Sequence, residues 1–445
     1  MGIIMYGWPW SHSKTAVIPW IYTGPPKKRN PSKISSGFLR FRYIGEATSQ
    51  PGKTCTRGCL EVNVQVAFVN AGKDDWFTYY GLDPANGYVP SHVDARGRVI
   101  PNVSSTTPTD ALANPVPSGP LNFPMLSAAR LYISSGGPLQ LSVDPAGHPR
   151  PPMPPDPTDP NYNTSWDFFE VTYIPSGTDE LFNFNLSNVQ SANLPLAFHV
   201  AGVEPSTRQP VDYNRGWLPG GYSKFLASLR ANPDFSNLIL PGTQRVLAPG
   251  TAITAFEQKV IPTPLFGADY LKTYIDQVWA KFEAVDLTFV GDPPPGSSTF
   301  VTWVGRVQNG QFTLTTSDLP GLVPIVLNPP STSDLLENNF NFCASGHGTP
   351  GSLQENYALQ LFGTLCAAFN RSVMLTTTTL ANSSTCDWCK ATDKFYQDPT
   401  TNHYSQAVHA NVIDGLAYAF QSDDHCDVSS YVAVINPNQL TITLV

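Results

Sequence analysis

From Leu60 the chain alternates apolar and polar residues through Val62, Val64, Val66 and Phe68, the period-2 pattern of a strand with one buried face. Similar short runs recur at 76–80, 129–134, 139–143, 168–174, 181–189 and 196–200, several of them separated by turn signals such as Asn70-Ala-Gly72 and Ser134-Ser-Gly136-Gly137-Pro138. Short strands joined by Gly, Pro and Asn turns predict a β-barrel or sandwich. Residues 149–160 hold seven prolines and read as an extended connector between strands, not a domain linker. Residues 1–54 show little alternation and read as an irregular N-terminal arm.

After residue 219 the period changes. Tyr270, Leu271, Tyr274, Ile275, Val278, Trp279 and Phe282 fall on one face of a 3.6-residue repeat and predict a helix over 269–285. Residues 333–340, opening on Asp334 and Glu337, and 354–369 predict two more helices. Strands are expected at 287–290, 300–307 and 311–315, the last two joined across the hairpin turn Asn309-Gly310. Leu440, Ile442 and Leu444 alternate again, so the chain end is expected to rejoin the first sheet. The fold class is therefore mainly β with an α/β insertion. The β-rich domain takes in 55–218 and 400–445, and the inserted α/β domain spans 219–399.

Composition sharpens the class of partner. The 445 residues include 33 Gly and 43 Pro, and only 13% are charged, against roughly 25% in an average domain. That excludes a coiled coil, and 11% aromatic residues exclude a disordered chain. With a net charge of −8 and no basic stripe beyond Lys27-Lys28-Arg29, a nucleic-acid partner is not expected. Hydroxyls, amides and aromatic rings suit an uncharged carbohydrate instead. No window approaches the 18 apolar residues of a membrane span, so no membrane partner is expected either. The N-terminus lacks the basic region and apolar run of a signal peptide; either the chain is not exported by the general route, or it is trimmed. Seven Cys leave at least one unpaired or paired between chains, and a disulfide is expected among Cys386, Cys389 and Cys426.

The stretch Trp166-Asp-Phe168-Phe-Glu170-Val-Thr172 holds the most suggestive chemistry. On a strand Trp166, Phe168, Glu170 and Thr172 share a face, giving an aromatic platform, a carboxyl and a hydroxyl in line. A carboxyl flanked by aromatics is desolvated, which raises its pKa toward that of a general acid. The plainer reading is an ordinary strand whose Glu170 faces water. His403, His409 and Asp414 match no zinc spacing, and no nucleophile elbow, P-loop or dinucleotide fingerprint occurs.

Taken in order, Trp166 to Thr172, Asn185-Leu-Ser-Asn-Val189 before Leu194-Pro195, the helix at 269–282, Asn370-Arg371-Ser372, Asn402-His403-Tyr404 and Asp414-Gly415 to Phe420 resemble glycoside hydrolase family 64, inverting endo-β-1,3-glucanases related to thaumatin-like proteins. The resemblance covers about residues 55–445. It implies a thaumatin-like β-barrel or sandwich and a mixed α/β domain flanking a wide groove that binds β-1,3-glucan. It further implies an extracellular or cell-wall setting, a monomer, and no cofactor or metal. Glu170 matches the family's general acid. Thr172, Trp166, Asn402, His403, Tyr404 and Asp414 are expected along the groove, although Asp414 as a turn cap and His403 as a core histidine fit the same residues. The position of the family's general base falls on Gln190, a neutral amide. An inverting reaction needs a carboxylate there, about 6.5–9.5 Å from the acid. Three outcomes stay open: a glucanase whose base comes from Asp179, Glu180 or Asp414, a glucan-binding relative that has lost hydrolysis, or a shifted alignment in 175–181. On the first alignment, restoring a carboxylate by Gln190→Asp is expected to raise the rate of glucan hydrolysis in a reducing-sugar assay.

Overall fold

Strands of the first half merge into one curled sheet because their apolar positions fall on a common face. The computed structural model describes residues 64–293, 298–383 and 387–445. The strands are β1 (Val64–Val69), β2 (Asp75–Asp83), β3 (Val89–Val93), β4 (Val99–Pro101), β5 (Ser127–Ser135), β6 (Ser165–Ser176), β7 (Asp179–Ser187), β8 (Leu196–Val203) and β9 (Pro210–Gly216). The terminal strand, Val432–Leu444, completes them. Their order is β9, β8, terminal strand, β7, β6, β5, β2, β3, β4. The chain end thus enters the middle of the sheet. Its first part pairs with β7, Phe184 opposite Val432, while its last part lies between β8, Leu196 opposite Leu444, and β1, which runs parallel to it. Switching partners along one strand, with a bulge between Ala201 and Val203 on β8, curls the sheet.

On β6 and β7 the period-2 rule divides two environments. Phe169, Val171, Tyr173, Phe182 and Phe184 point into the core, where Phe169 stacks on Phe184 and Phe184 meets Phe198 edge-on at 4.9 Å. Each such buried side chain contributes about 1.5–3 kcal/mol. The alternate residues, Glu170, Thr172, Asn183 and Asn185, form the opposite, polar face.

Between β9 and the terminal strand lies a six-stranded sheet, Cys343–Ser345, Ile325–Leu327, Gln311–Thr315, Val301–Gln308, Leu287–Gly291 and Thr379–Ala381 in spatial order. Helix Lys272–Ala284 buries Tyr274, Ile275, Val278, Trp279 and Phe282 beneath it, the stripe read from the sequence. Asn309 (φ 52°) and Gly310 (φ 79°) make the expected hairpin, with both residues in the left-handed region. Helix Thr332–Glu337 begins on a capping box in which Ser331 and Asp334 satisfy each other's backbone N–H, so Asp334 lies inside the first turn. Helices Gly221–Ala231, Pro249–Glu257 and His403–His409 are short and escape the periodicity argument. One apolar cluster runs through both parts, from Phe184 to Phe289, with Trp217, Phe225 and Tyr404 packed between them.

A buried ionic knot also joins the two parts. Arg371 caps the long helix Leu353–Asn370 and donates to Asp423 Oδ1 at 2.9 Å, with both side chains fully buried. His409 Nε2 lies 2.9 Å from Asp423 Oδ2, which also accepts from the Ala419 N–H. Phe395, Phe420 and Trp388 surround the guanidinium, with its carbon 5.0, 5.4 and 6.0 Å from their ring centres. Beside the knot Cys389 and Cys426 form a disulfide; Cys343 and Cys366 are free, and Cys55, Cys59 and Cys386 lie outside the described residues, as does the N-terminal arm. Among the described residues no helix is long and apolar enough to cross a membrane.

Burial pushes the Asp423 pKa up, but His409 and Arg371 outweigh it and hold the carboxyl below its usual range. A depressed carboxylate contributes stability that is present above the unfolded pKa of about 4 and is lost as pH falls through the folded value. Asp423→Asn strands a buried cation and is expected to lower unfolding free energy by about 3–5 kcal/mol near neutral pH, read by urea denaturation.

Candidate active site

The polar face of β6 and β7 is the floor of a cleft of about 300 Å³. Glu170 and Thr172 come from β6, Asn183 and Asn185 from β7, Ala433 from the terminal strand, and Tyr213 and Arg215 from β9. Glu204, in the β8–β9 turn, stands at one side. The facing wall is the segment 416–431, which contributes Leu416, Tyr418, Asp424, Asp427, Ser429 and Tyr431.

Glu170 occupies the middle of a cross-strand row. Its register partners are Arg130 on β5 and Asn185 on β7, and Asn185 Nδ2 donates to Glu170 Oε2 at 3.1 Å. Burial raises the Glu170 pKa; the Arg130 charge and the Asn185 hydrogen bond oppose the rise without cancelling it. A half-buried carboxyl that holds its proton beyond the usual carboxylate range is suited to donate that proton. Asp167, three residues earlier, has the opposite fate. It is buried in the core, where the N–H groups of Asn193 and Leu194 each donate to Oδ2 at 2.8 Å, and burial pushes its pKa up to about 8. It fixes the turn into β8 and does not reach the cleft.

The wall is held firmly despite two non-glycine residues with positive φ, Cys426 (71°) and Asp427 (54°), and a third, Asp414 (56°), just before it. Asn188 N–H donates to Tyr418 O, Ala417 N–H to Val428 O, Ser430 Oγ to Leu186 O, and the Tyr431 hydroxyl to Asn183 Oδ1. The ionic knot and the disulfide anchor the same segment from behind.

Of the residues singled out in the sequence, Glu170 and Thr172 line the cleft. Trp166 does share their face, but Leu139 and Leu141 cover it, and it packs with Tyr80, Tyr132 and Phe168 at 1% exposure. Asn402 is buried as the cap of helix His403–His409, accepting from Ser405 N–H and donating to Asn370. Tyr404 is fully buried, its hydroxyl donating to Asn188 O at 2.7 Å. His403 packs edge-on against Phe235, with its ring nitrogens 2.8 Å from Gln406 Oε1 and 3.1 Å from Pro399 O. None of these residues lines the cleft; Tyr404 alone reaches the wall, through Asn188. Asp414 is exposed at the rim, 3.7 Å from Arg215.

Gln190 lies past the end of β7, where its carbonyl accepts from Ala248 N–H, away from the cleft. The residue opposite Glu170 is Asn185, five positions earlier, so the expected gain from Gln190→Asp loses its basis. Asp179 pairs with Arg208, and Glu180 accepts from the Tyr173 hydroxyl on the core side of the hairpin. Among the described residues no three His, Cys, Asp or Glu side chains converge as a metal site. The two cleft asparagines alternate with Phe182 and Phe184, a signal legible in the sequence. Tyr418 falls within the Asp414–Phe420 stretch singled out in the sequence; nothing local marks Asp424.

A model of the β-1,3-glucanase family, glycoside hydrolase family 64, matches residues 62–444. The chain belongs to this family. Among curated members, the glucan endo-1,3-β-glucosidases of Cellulosimicrobium cellulans and of an Arthrobacter species (strain YCWD3) are each 24% identical over 334 residues. Those matches cover 73% of this chain and 53% of the relative, so the chain spans about half the length of the curated relatives it matches. In fold it is similar to a laminaripentaose-producing β-1,3-glucanase solved with laminaritetraose, at TM-score 0.67 and 23% identity over 86% of this chain and 99% of the other. A family 64 domain from Clostridium beijerinckii gives TM-score 0.62 and 22% identity over 87% and 100%.

If Tyr404 serves the core and not the ligand, Tyr404→Phe should cost about 1 kcal/mol for the lost hydrogen bond, measured by thermal unfolding. Binding of laminarin in a pull-down should be unchanged.

Proposed function

We propose that the chain hydrolyses β-1,3-glucan in an endo manner, with inversion, in the cleft between β6, β7 and the wall. Glu170 is the general acid. The observation that carries this reading is the raised pKa of Glu170 in the middle of a polar floor, in a chain that belongs to a family of β-1,3-glucanases. The polymer fits the surroundings: Asn183, Asn185, Thr172 and Ser429 offer amides and hydroxyls to sugar hydroxyls, while Tyr213, Tyr418 and Tyr431 offer ring faces. Glu170 protonates the glycosidic oxygen as the bond to the anomeric carbon breaks, and a water attacks from the opposite face. Action at a cell wall or outside the cell belongs to the same reading, and the Cys389–Cys426 disulfide suits an oxidising compartment.

One observation favours a second reading, glucan binding without hydrolysis. The side chain directly opposite Glu170 is the amide of Asn185, which cannot deprotonate water. A reducing-sugar assay run beside a pull-down on insoluble β-1,3-glucan separates the two: hydrolysis supports the first, retention without product the second.

Glu170→Gln should lower kcat by at least ~10²-fold, with glucan binding and the thermal transition nearly unchanged. Unchanged turnover would remove Glu170 from the chemistry. The acid must be protonated, so kcat should fall as pH rises through a Glu170 pKa that lies above about 4.3. Because Arg130 lowers that pKa, Arg130→Gln should move the alkaline limb of the kcat profile to higher pH.

A further inference from the structure

Hydrolysis with inversion requires a second carboxylate, and the floor of the cleft does not supply one. The other carboxylates that line the cleft differ in how they are engaged. Glu204 accepts from Ser206 Oγ and from the Thr207 N–H, which turn it back on its own loop. Asp427 lines the cleft but is exposed to solvent. Asp424 is nine-tenths buried, yet its Oδ2 has no hydrogen-bond partner. Its Oδ1 stands 3.7 Å from His425 Nδ1, outside hydrogen-bond range.

A buried carboxylate oxygen without a donor is costly, and native proteins rarely keep one unless a ligand or a water satisfies it. Asp424 on the wall and Glu170 on β6 line the same cleft of about 300 Å³, a volume that admits a water between floor and wall. A shared neighbour supports the placement. The Tyr418 phenol has its pKa raised by burial first, and then by the charges of Asp424 and Glu170, so one ring lies within electrostatic reach of both.

The geometry points to Asp424 as the general base of this chain. Resting on the hydrolytic reading above, the step is a single displacement. The Asp424 carboxylate takes a proton from water, whose oxygen bonds to the anomeric carbon. The bond from that carbon to the glycosidic oxygen breaks, and its electron pair stays on the leaving oxygen, which takes the proton of Glu170. Water is the only co-reactant, and charge balances between the two carboxyls.

The test compares the full chain with Asp424→Asn, Asp424→Ala and Glu170→Gln on laminarin, with laminarihexaose binding measured by calorimetry. Asp424→Asn should lose at least ~10²-fold in kcat and keep laminarihexaose affinity within about threefold. Adding azide to Asp424→Ala should restore turnover and give a glycosyl azide, because a small anion needs no base. That product reports on the missing base and does not arise from a structural defect. If Asp424→Asn turns over at the native rate while Glu170→Gln is inactive, hydrolysis stands and Asp424 is not the base. If Asp424→Ala folds and binds but azide yields no glycosyl azide, the assignment is likewise overturned. If the native chain binds laminarihexaose and releases no reducing ends from laminarin, the hydrolytic reading itself fails.

Discussion

The wall of the cleft is tied to the rest of the chain by one buried charge above all, the carboxylate of Asp423. Arg371 and His409 meet it from the helical part of the chain, and the Ala419 N–H closes the loop back onto it. Three aromatic rings exclude water from the guanidinium. Such a knot adds little net stability, since desolvating both charges offsets most of their attraction. Its contribution is to hold residues 416–431 on their path, together with the disulfide and the hydrogen bonds to Leu186, Asn188 and Asn183. That path includes two non-glycine residues in left-handed conformations, each costing about 1–2 kcal/mol. With the knot in place, Tyr418 and Asp424 face β6; without it, an unsupported loop has no reason to hold that strain.

On the other side of the cleft, control comes from the β-pleat. One strand pair presents Phe169, Phe182 and Phe184 to the core and Glu170, Asn183 and Asn185 to the cleft. A shift of register by one residue would exchange the two faces, so the stacked phenylalanines that stabilise the sheet also fix the position of the acid.

The halves of this arrangement differ in how far they can be read from sequence. Period-2 and period-3.6 patterns are local, and they located β5 to β8, the helix at Lys272–Ala284 and the alternating chain end that enters the sheet. Glu170 and Thr172 were legible for the same reason, because a strand fixes which side chains share a face. Burial of that face was not legible. Trp166 shares it, and only the three-dimensional course of the chain brings Leu139 and Leu141 over it. The motif containing Asn402 and Tyr404 was visible, but its function is to cap a helix and support Asn188, not to meet a ligand. Asp424 had no local signal at all. Its placement follows from contacts between residues far apart in the chain, Arg371 with Asp423 and Cys389 with Cys426.

The most direct test of the account is a crystal structure of the Glu170→Gln chain with laminarihexaose. A glucan chain should lie across β6 and β7, with the amide of residue 170 hydrogen-bonded to a glycosidic oxygen. An ordered water should stand between the adjacent anomeric carbon and Asp424. A sugar chain bound elsewhere, for example along the separate recess formed by Ser135, Tyr222 and Gln244, with no sugar against residue 170, would contradict it.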